Sequence, residues 1–232
     1  MLKIADLTVR YGPFLAVDHL AISVGAGEIV GVVGPNGAGK SSTVKAIGGL
    51  VQPKSGRLVF DGNDLGPVPP HKRVSLGISI VPEGRGLFSR MSVEENLVIA
   101  ADPLKDKARC THNIERCYAM FPVLKQRRWQ AVGTLSGGQQ QMVAVSMGLM
   151  SDPRLLVLDE PSLGLAPIVI GEIGRALGEL RKQGLTVALF EQNAKLTCSI
   201  ADRIYILATG KVRHHNRAAD LLNDPEILDH LV

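Results

Sequence analysis

Three short stretches hold residue types whose spacing suits chemistry on phosphate. The first, Gly34-Pro35-Asn36-Gly37-Ala38-Gly39-Lys40-Ser41, fits the pattern G-x-x-x-x-G-K-[ST]. Glycines at this spacing let successive backbone N–H groups curl around phosphate oxygens, and a helix starting at the lysine adds the positive end of its dipole. Lys40 is then placed to reach the β- and γ-phosphates, the Ser41 hydroxyl to ligate Mg²⁺, and Ser42 to follow in the first helical turn. The stretch predicts nucleotide binding.

The second stretch is Leu155-Leu156-Val157-Leu158-Asp159-Glu160, four apolar residues running into two acids. That pattern describes a buried strand whose carboxylates emerge at its C-terminal end, the edge where open α/β sheets take their ligands. Asp159 would hold Mg²⁺, and Glu160 would orient and deprotonate an attacking water. The third is Leu135-Ser136-Gly137-Gly138-Gln139, in which a serine hydroxyl and two glycine amides open a helix and form a second anion site.

The elements that must carry these residues can be read from the apolar pattern. Short, β-branched runs at Ile29–Val33, Ile78–Val81, Leu155–Leu158 and Thr186–Phe190 suit strands buried on both faces. Helical stretches alternate with them near Gly39–Gly49, Pro167–Gln183 and Ala194–Ala201, an order that argues for α/β. Leu7–Val9 and Leu20–Val24 alternate and suit antiparallel edge strands near the N-terminus. From Ser92 to Met150 no strand is predicted. Ser92-Val-Glu-Glu95 and Ser136-Gly-Gly-Gln139 both have capping-box form, so a helical lobe inserted between two strands of the core is expected. The division predicted is one domain over 1–232, with a core at about 1–88 and 154–232 and a helical subdomain at about 89–153.

With the phosphate cradle and the strand-end acids in order, LSGGQ resembles the signature motif of ABC-type ATPases, and the resemblance covers essentially the whole chain. It implies a P-loop NTPase (RecA-like) core, an N-terminal antiparallel β-subdomain and an inserted α-helical subdomain. It also implies ATP and Mg²⁺ as ligands, two ATPs being sandwiched head-to-tail between the cradle of one subunit and Ser136, Gly137 and Gly138 of the other. Tyr11 matches the aromatic that stacks on adenine. Glu83, in Val81-Pro82-Glu83-Gly84-Arg85, occupies the Q-loop position and would join Ser41 and Asp159 around the metal. Gln192, in Glu191-Gln192-Asn193-Ala194, stands where the family usually has histidine. It can donate a hydrogen bond to the γ-phosphate but cannot titrate near neutral pH.

VPEGR, EQNA and DEPSLGLAP together look like the ATP-binding subunits of branched-chain amino acid importers, a subfamily that includes urea and amide importers. Ala166 stands where the family's D-loop aspartate is common, Gln139 where Glu is common and Met147 where Arg is common. The partners implied are a second ATPase subunit, two transmembrane permease subunits and, indirectly, a periplasmic or extracellular substrate-binding protein. The place implied is the cytoplasmic face of the membrane, peripherally bound. Three other readings stay open: an ABC-type ATPase outside transport, a P-loop kinase, and a nucleotide-dependent scaffold with little turnover.

Composition bounds these readings. With 232 residues, 45% hydrophobic and 21% charged, the chain has the make-up of a globular protein with a substantial core. Cys110, Cys117 and Cys198 lack CxxC spacing and cannot form a disulfide framework, which suits a reducing compartment. No apolar run approaches the roughly 18 residues of a membrane span, and Met1–Arg10 lacks the apolar region of a signal peptide, so a cytosolic chain is expected. The formal net charge is +4. Residues 84–130 hold nine basic and five acidic side chains, so the whole excess falls on the segment that includes most of the helical lobe. Docking at an anionic membrane surface through a protein partner explains that excess better than nucleic acid, which is not expected as a partner. His214-His215 is expected on a late hairpin strand facing solvent, Met142, Met147 and Met150 in helix packing, and Asp224–Val232 as a short closing helix.

Overall fold

The computed structural model describes residues 1–221; the closing helix expected at Asp224–Val232 lies outside the described residues. Two sheets are present among the described residues. β1 (Leu2–Tyr11), β2 (Phe14–Val24), β4 (Ser55–Phe60) and β5 (Asn63–Asp64) form an antiparallel sheet in the order β2-β1-β4-β5. β3 (Ile29–Val33), β6 (Ile78–Val81), β7 (Leu155–Asp159), β8 (Thr186–Glu191), β9 (Arg203–Ala208) and β10 (Lys211–Arg217) form the second, in the order β10-β9-β3-β8-β7-β6. Within it β6, β7, β8, β3 and β9 run parallel, and β10 returns antiparallel to β9.

The four apolar runs are strands, and β3, β7 and β8 are buried at every position, as continuous apolar sequence requires of a sheet covered on both faces. One expectation is corrected at the N-terminus. Leu7–Val9 belongs to β1, which is no edge strand: β4 pairs along its other side, with Ile4 opposite Leu58. Tyr11 is the last residue of β1.

The helices begin where local chemistry allows. α1 (Lys40–Gly48) starts behind Gly39, whose backbone is left-handed at φ +103°, and no side chain caps it. α2 (Pro70–Ser75) carries proline at its first position. In α3 (Val93–Ala100), Ser92 Oγ accepts from Glu95 N at 3.2 Å and the Glu95 carboxylate accepts from Ser92 N at 2.7 Å. α4 (Lys107–Met120) is capped by Asp106 and α5 (Pro122–Gln126) opens on proline. α6 (Gly137–Leu149) repeats the capping box with Ser136 and Gln139. α7 (Pro167–Lys182), α8 (Ala194–Ile200) and α9 (Ala218–Leu221) complete the set among the described residues. Between Ser92 and Met150 the described residues form helices joined by turns and loops, with one isolated bridge, Ser92 to Ala131.

Among the described residues, apolar cores cover both faces of the parallel sheet. Leu156, Leu158, Val187 and Leu189 pack against α6, α7 and the α3–α5 helices. Val30, Val32, Val157 and Ala188 pack against Val44 and Ile47 of α1 and the antiparallel sheet. Met142 and Met150 are buried and Met147 is half-buried, as expected of helix packing. His214 and His215 lie exposed on β10, where His215 stacks on Tyr205 with ring centroids 4.1 Å apart. No helix among the described residues is long and apolar enough to cross a membrane.

Candidate functional site

The loop joining β3 to α1 is shaped by what its glycines exclude. A Cβ on Gly34 would lie 2.3 Å from the Leu207 carbonyl oxygen, and one on Gly39 would lie 2.6 Å from the Ala16 carbonyl oxygen. Only glycine fits either position. The loop is then fastened to its surroundings. Gly34 N donates to Glu191 O at 3.2 Å, Ala38 N to Pro35 O at 3.1 Å, and Gly210 N to Ala38 O at 3.1 Å. Because no side chain caps α1, the first amides of that helix remain open toward the loop, where an anion can take them.

Lys40 folds back across this loop and is almost fully buried. Its Nζ donates to Gly34 O at 2.7 Å and Pro35 O at 3.0 Å, and lies 3.1 Å from Glu160 Oε1. One position along, Ser41 Oγ donates to Asp159 Oδ1 at 3.2 Å. The strand-end acids of β7 therefore meet the cradle residues directly. Glu160 adopts a left-handed backbone at φ +49°, unusual for a residue with a Cβ, and its N–H donates to Phe190 O at 2.8 Å. That turn aims its carboxylate back at Lys40. Burial, reinforced by the neighbouring Glu160 and Glu83 carboxylates, pushes the Asp159 carboxyl up to about 6, against the opposing pull of Ser41 and Lys40.

These groups line one cleft of about 450 Å³, walled by Tyr11, Asn36, Gly37, Gly39, Lys40, Ser41, Ser42, Glu83 and Glu160, with Ala16 and Leu163. Gly34, Pro35 and Ala38 form the back of the loop, and Asp159 joins through Ser41. The volume suits a nucleotide-sized ligand. The described residues hold no cluster of three or more acidic, histidine or cysteine side chains around one metal position, but the Ser41 hydroxyl on Asp159, with Glu83 on the same cleft wall, offers oxygen donors of the kind Mg²⁺ prefers. Gln192 is exposed on the loop after β8 and is not part of the cleft wall. Ser136, Gly137 and Gly138 also lie outside it, at the start of α6.

Along its whole length this architecture matches known folds: a solved ATP-binding subunit of an ABC transporter is 27% identical, with a TM-score of 0.86, and covers 100% of this chain and 97% of its own. The family model described as ABC transporter matches residues 17–163. The chain belongs to the ABC transporter family. It is the ATPase subunit of such a transporter. The cassette is 42% identical over 229 residues to the high-affinity branched-chain amino acid transport ATP-binding protein BraG of Pseudomonas aeruginosa, across 99% of this chain and 98% of that protein. It is 31% identical over 231 residues to the lipopolysaccharide export system ATP-binding protein LptB of Haemophilus influenzae, across 98% and 95% respectively.

Two side chains that bear on the cassette's site escaped sequence reasoning. Arg85, in the loop after β6, donates from Nη1 to Gln140 Oε1 at 2.8 Å and from Nε to Gln141 Oε1 at 3.1 Å, tying that loop to α6. Glu191 is buried at the end of β8, and its carboxylate accepts from Ser162 N, Gln192 N and Asn193 N. An acid ending an apolar strand was the signal that singled out Asp159, and the same signal was available for Glu191.

Proposed function

We propose that the cassette binds ATP with Mg²⁺ in the Lys40–Glu160 cleft, hydrolyses it there, and so drives uptake of branched-chain amino acids through membrane partners. The observation that carries the ATPase reading is the meeting of cradle and strand-end acids, with Ser41 on Asp159 and Lys40 on Glu160 in one cleft. Gly34 through Gly39 would wrap the phosphates with backbone N–H groups, and Lys40 would exchange its carbonyl and carboxylate partners for phosphate oxygens. Tyr11, half-exposed at the rim, offers its ring to adenine. Ser41, Glu83 and Asp159 would hold Mg²⁺, which supplies charge neutralisation of the phosphate oxygens when bound. Glu160 would orient the attacking water and take its proton, and Gln192 would donate a hydrogen bond to the γ-phosphate.

A single copy does not complete the site, because Ser136, Gly137 and Gly138 sit outside the cleft wall. A second copy, or a related ATPase subunit, would bring the Ser136 hydroxyl and the Gly137 and Gly138 amides to the γ-phosphate. Opening and closing of the pair would pass to two permease subunits through the helical lobe, at the cytoplasmic face, with a substrate-binding protein acting on the far side. The substrate class rests on the VPEGR and EQNA segments and on the similarity to BraG. The experiment is uptake of radiolabelled leucine, isoleucine and valine by source cells lacking this chain. Loss of uptake restored by wild type but not by E160Q is expected. Normal uptake of all three with lost urea or amide uptake, or defective lipopolysaccharide export, would redirect the substrate assignment.

A further inference from the structure

Glu191 occupies a position that the nucleotide chemistry leaves unused. It ends β8, the strand lying between β3, which leads into the cradle, and β7, which ends in the acids. Its backbone oxygen accepts from Gly34 N, the first residue of the cradle. The side chain turns inward, 2% exposed, and divides its two oxygens between two loops. Oε1 accepts from Ser162 N at 2.8 Å, two residues beyond Glu160, in a turn closed by Leu163 N donating to Glu160 O at 3.2 Å. Oε2 accepts from Gln192 N at 3.1 Å and Asn193 N at 3.3 Å, in the loop that presents Gln192.

Every one of these side-chain contacts is an N–H donating to a carboxylate oxygen. An amide in place of the carboxylate cannot reproduce them, since one end would present an NH₂ to an N–H. Beyond the bond from Glu160 N to Phe190 O at 2.8 Å, the Glu191 carboxylate is the tie between the two loops among the described residues: a shift of either turns the carboxylate that holds the other. From this geometry we infer that Glu191 is a positioning residue, which sets the register between Glu160 and Gln192 so that both meet the same phosphate. The inference rests on the ATPase reading of the cleft. The cradle contact comes from the Glu191 backbone, so a side-chain change leaves the phosphate loop its anchor.

Purified wild type, E191Q and E191D separate this role from a structural one. In E191D the carboxylate is retained but shortened by one methylene and cannot span both loops. Measured on each are the thermal melt, the affinity for a fluorescent ATP analogue, and kcat and KM for phosphate release from ATP. The expected result is affinity and KM within about two-fold of wild type, with kcat down about tenfold or more in both variants. Affinity and kcat falling together with the melting temperature, loss of a cooperative melt in both variants, or kcat within about two-fold of wild type would each overturn the positioning role. Wild type releasing no phosphate would instead take down the reading of the cleft, and the inference with it.

Discussion

At the scale of single residues, the cleft is governed by charges brought close together. Asp159 is held among Glu160, Glu83 and the Lys40 ammonium, and burial raises its carboxyl to about 6. Such crowding of carboxylates is relieved when a divalent cation arrives. Gln192 lends itself to a test because it cannot titrate. In Gln192→His, an imidazolium facing the γ-phosphate carries a charge that the neutral ring lacks. The ratio of variant to wild-type hydrolysis should fall as pH rises through about 6 to 7. Taking the ratio removes the titration of Asp159, which both proteins share; a flat ratio would place position 192 away from phosphate. A second residue-scale expectation concerns the helical lobe. The Ser146 hydroxyl on α6 is the one buried side-chain polar atom among the described residues without a hydrogen-bond partner. Ser146→Ala removes that group and adds the best helix former, so it should stabilise the chain by about 1 kcal/mol, a rise of about 2–4 °C in Tm by calorimetry.

At the scale of elements, the helix that follows the cradle is held at its far end by a buried cation. Arg73 of α2 is buried, and its guanidinium donates to the carbonyls of Ala46 and Ile47, in the last turn of α1, and to those of Leu65 and Val68. The cation thus caps the negative end of α1 while the open amides at the other end face the cleft. Burial pulls the Arg73 pKa below its usual value, a sign of how much solvent it gives up. Arg73→Met would fill the space but leave those carbonyls without donors. A loss of about 2–4 kcal/mol is expected, measured by urea unfolding, and an unchanged midpoint would refute the capping role. The strands and capping boxes around the cleft were legible because each is written locally, in Ile29–Val33 as continuous apolar residues or in Ser92 and Glu95 as a reciprocal pair. Arg73 and Arg85 were not, because their partners are carbonyls and side-chain amides that chain order does not mark, and a charged residue's composition says nothing of where it folds; Glu191 carried the strand-end signal, but its tie to Ser162 N depends on how β7 and β8 align. β4 escaped for a related reason: Ser55–Phe60 opens with three exposed residues and is defined by its pairing with β1.

At the scale of the whole molecule, one sheet carries the cradle, the acids and Glu191 at the C-terminal ends of β3, β7 and β8, while the helical lobe carries the signature on α6. Of the lobe's basic excess, Arg109 and Arg116 pair with Asp152, Lys125 with Glu115 and Arg128 with Glu94. Arg90, Lys105 and Lys107 are exposed and make no ion pair among the described residues, leaving them free to face an anionic partner surface. Because the signature lies outside the cleft, a complete site requires ATP to bring two cassettes together. E160Q, which keeps every phosphate-binding group, should elute as a dimer with ATP and as a monomer with ADP on size exclusion. Elution as a monomer in both would deny the shared site. Whether this cleft hydrolyses ATP through Glu160 is decided by phosphate release from ATP with magnesium, comparing wild type with E160Q. Wild type should turn over, and E160Q should be slower by about 10²-fold or more with nucleotide affinity retained. Hydrolysis by E160Q at the wild-type rate would remove Glu160 from the reaction.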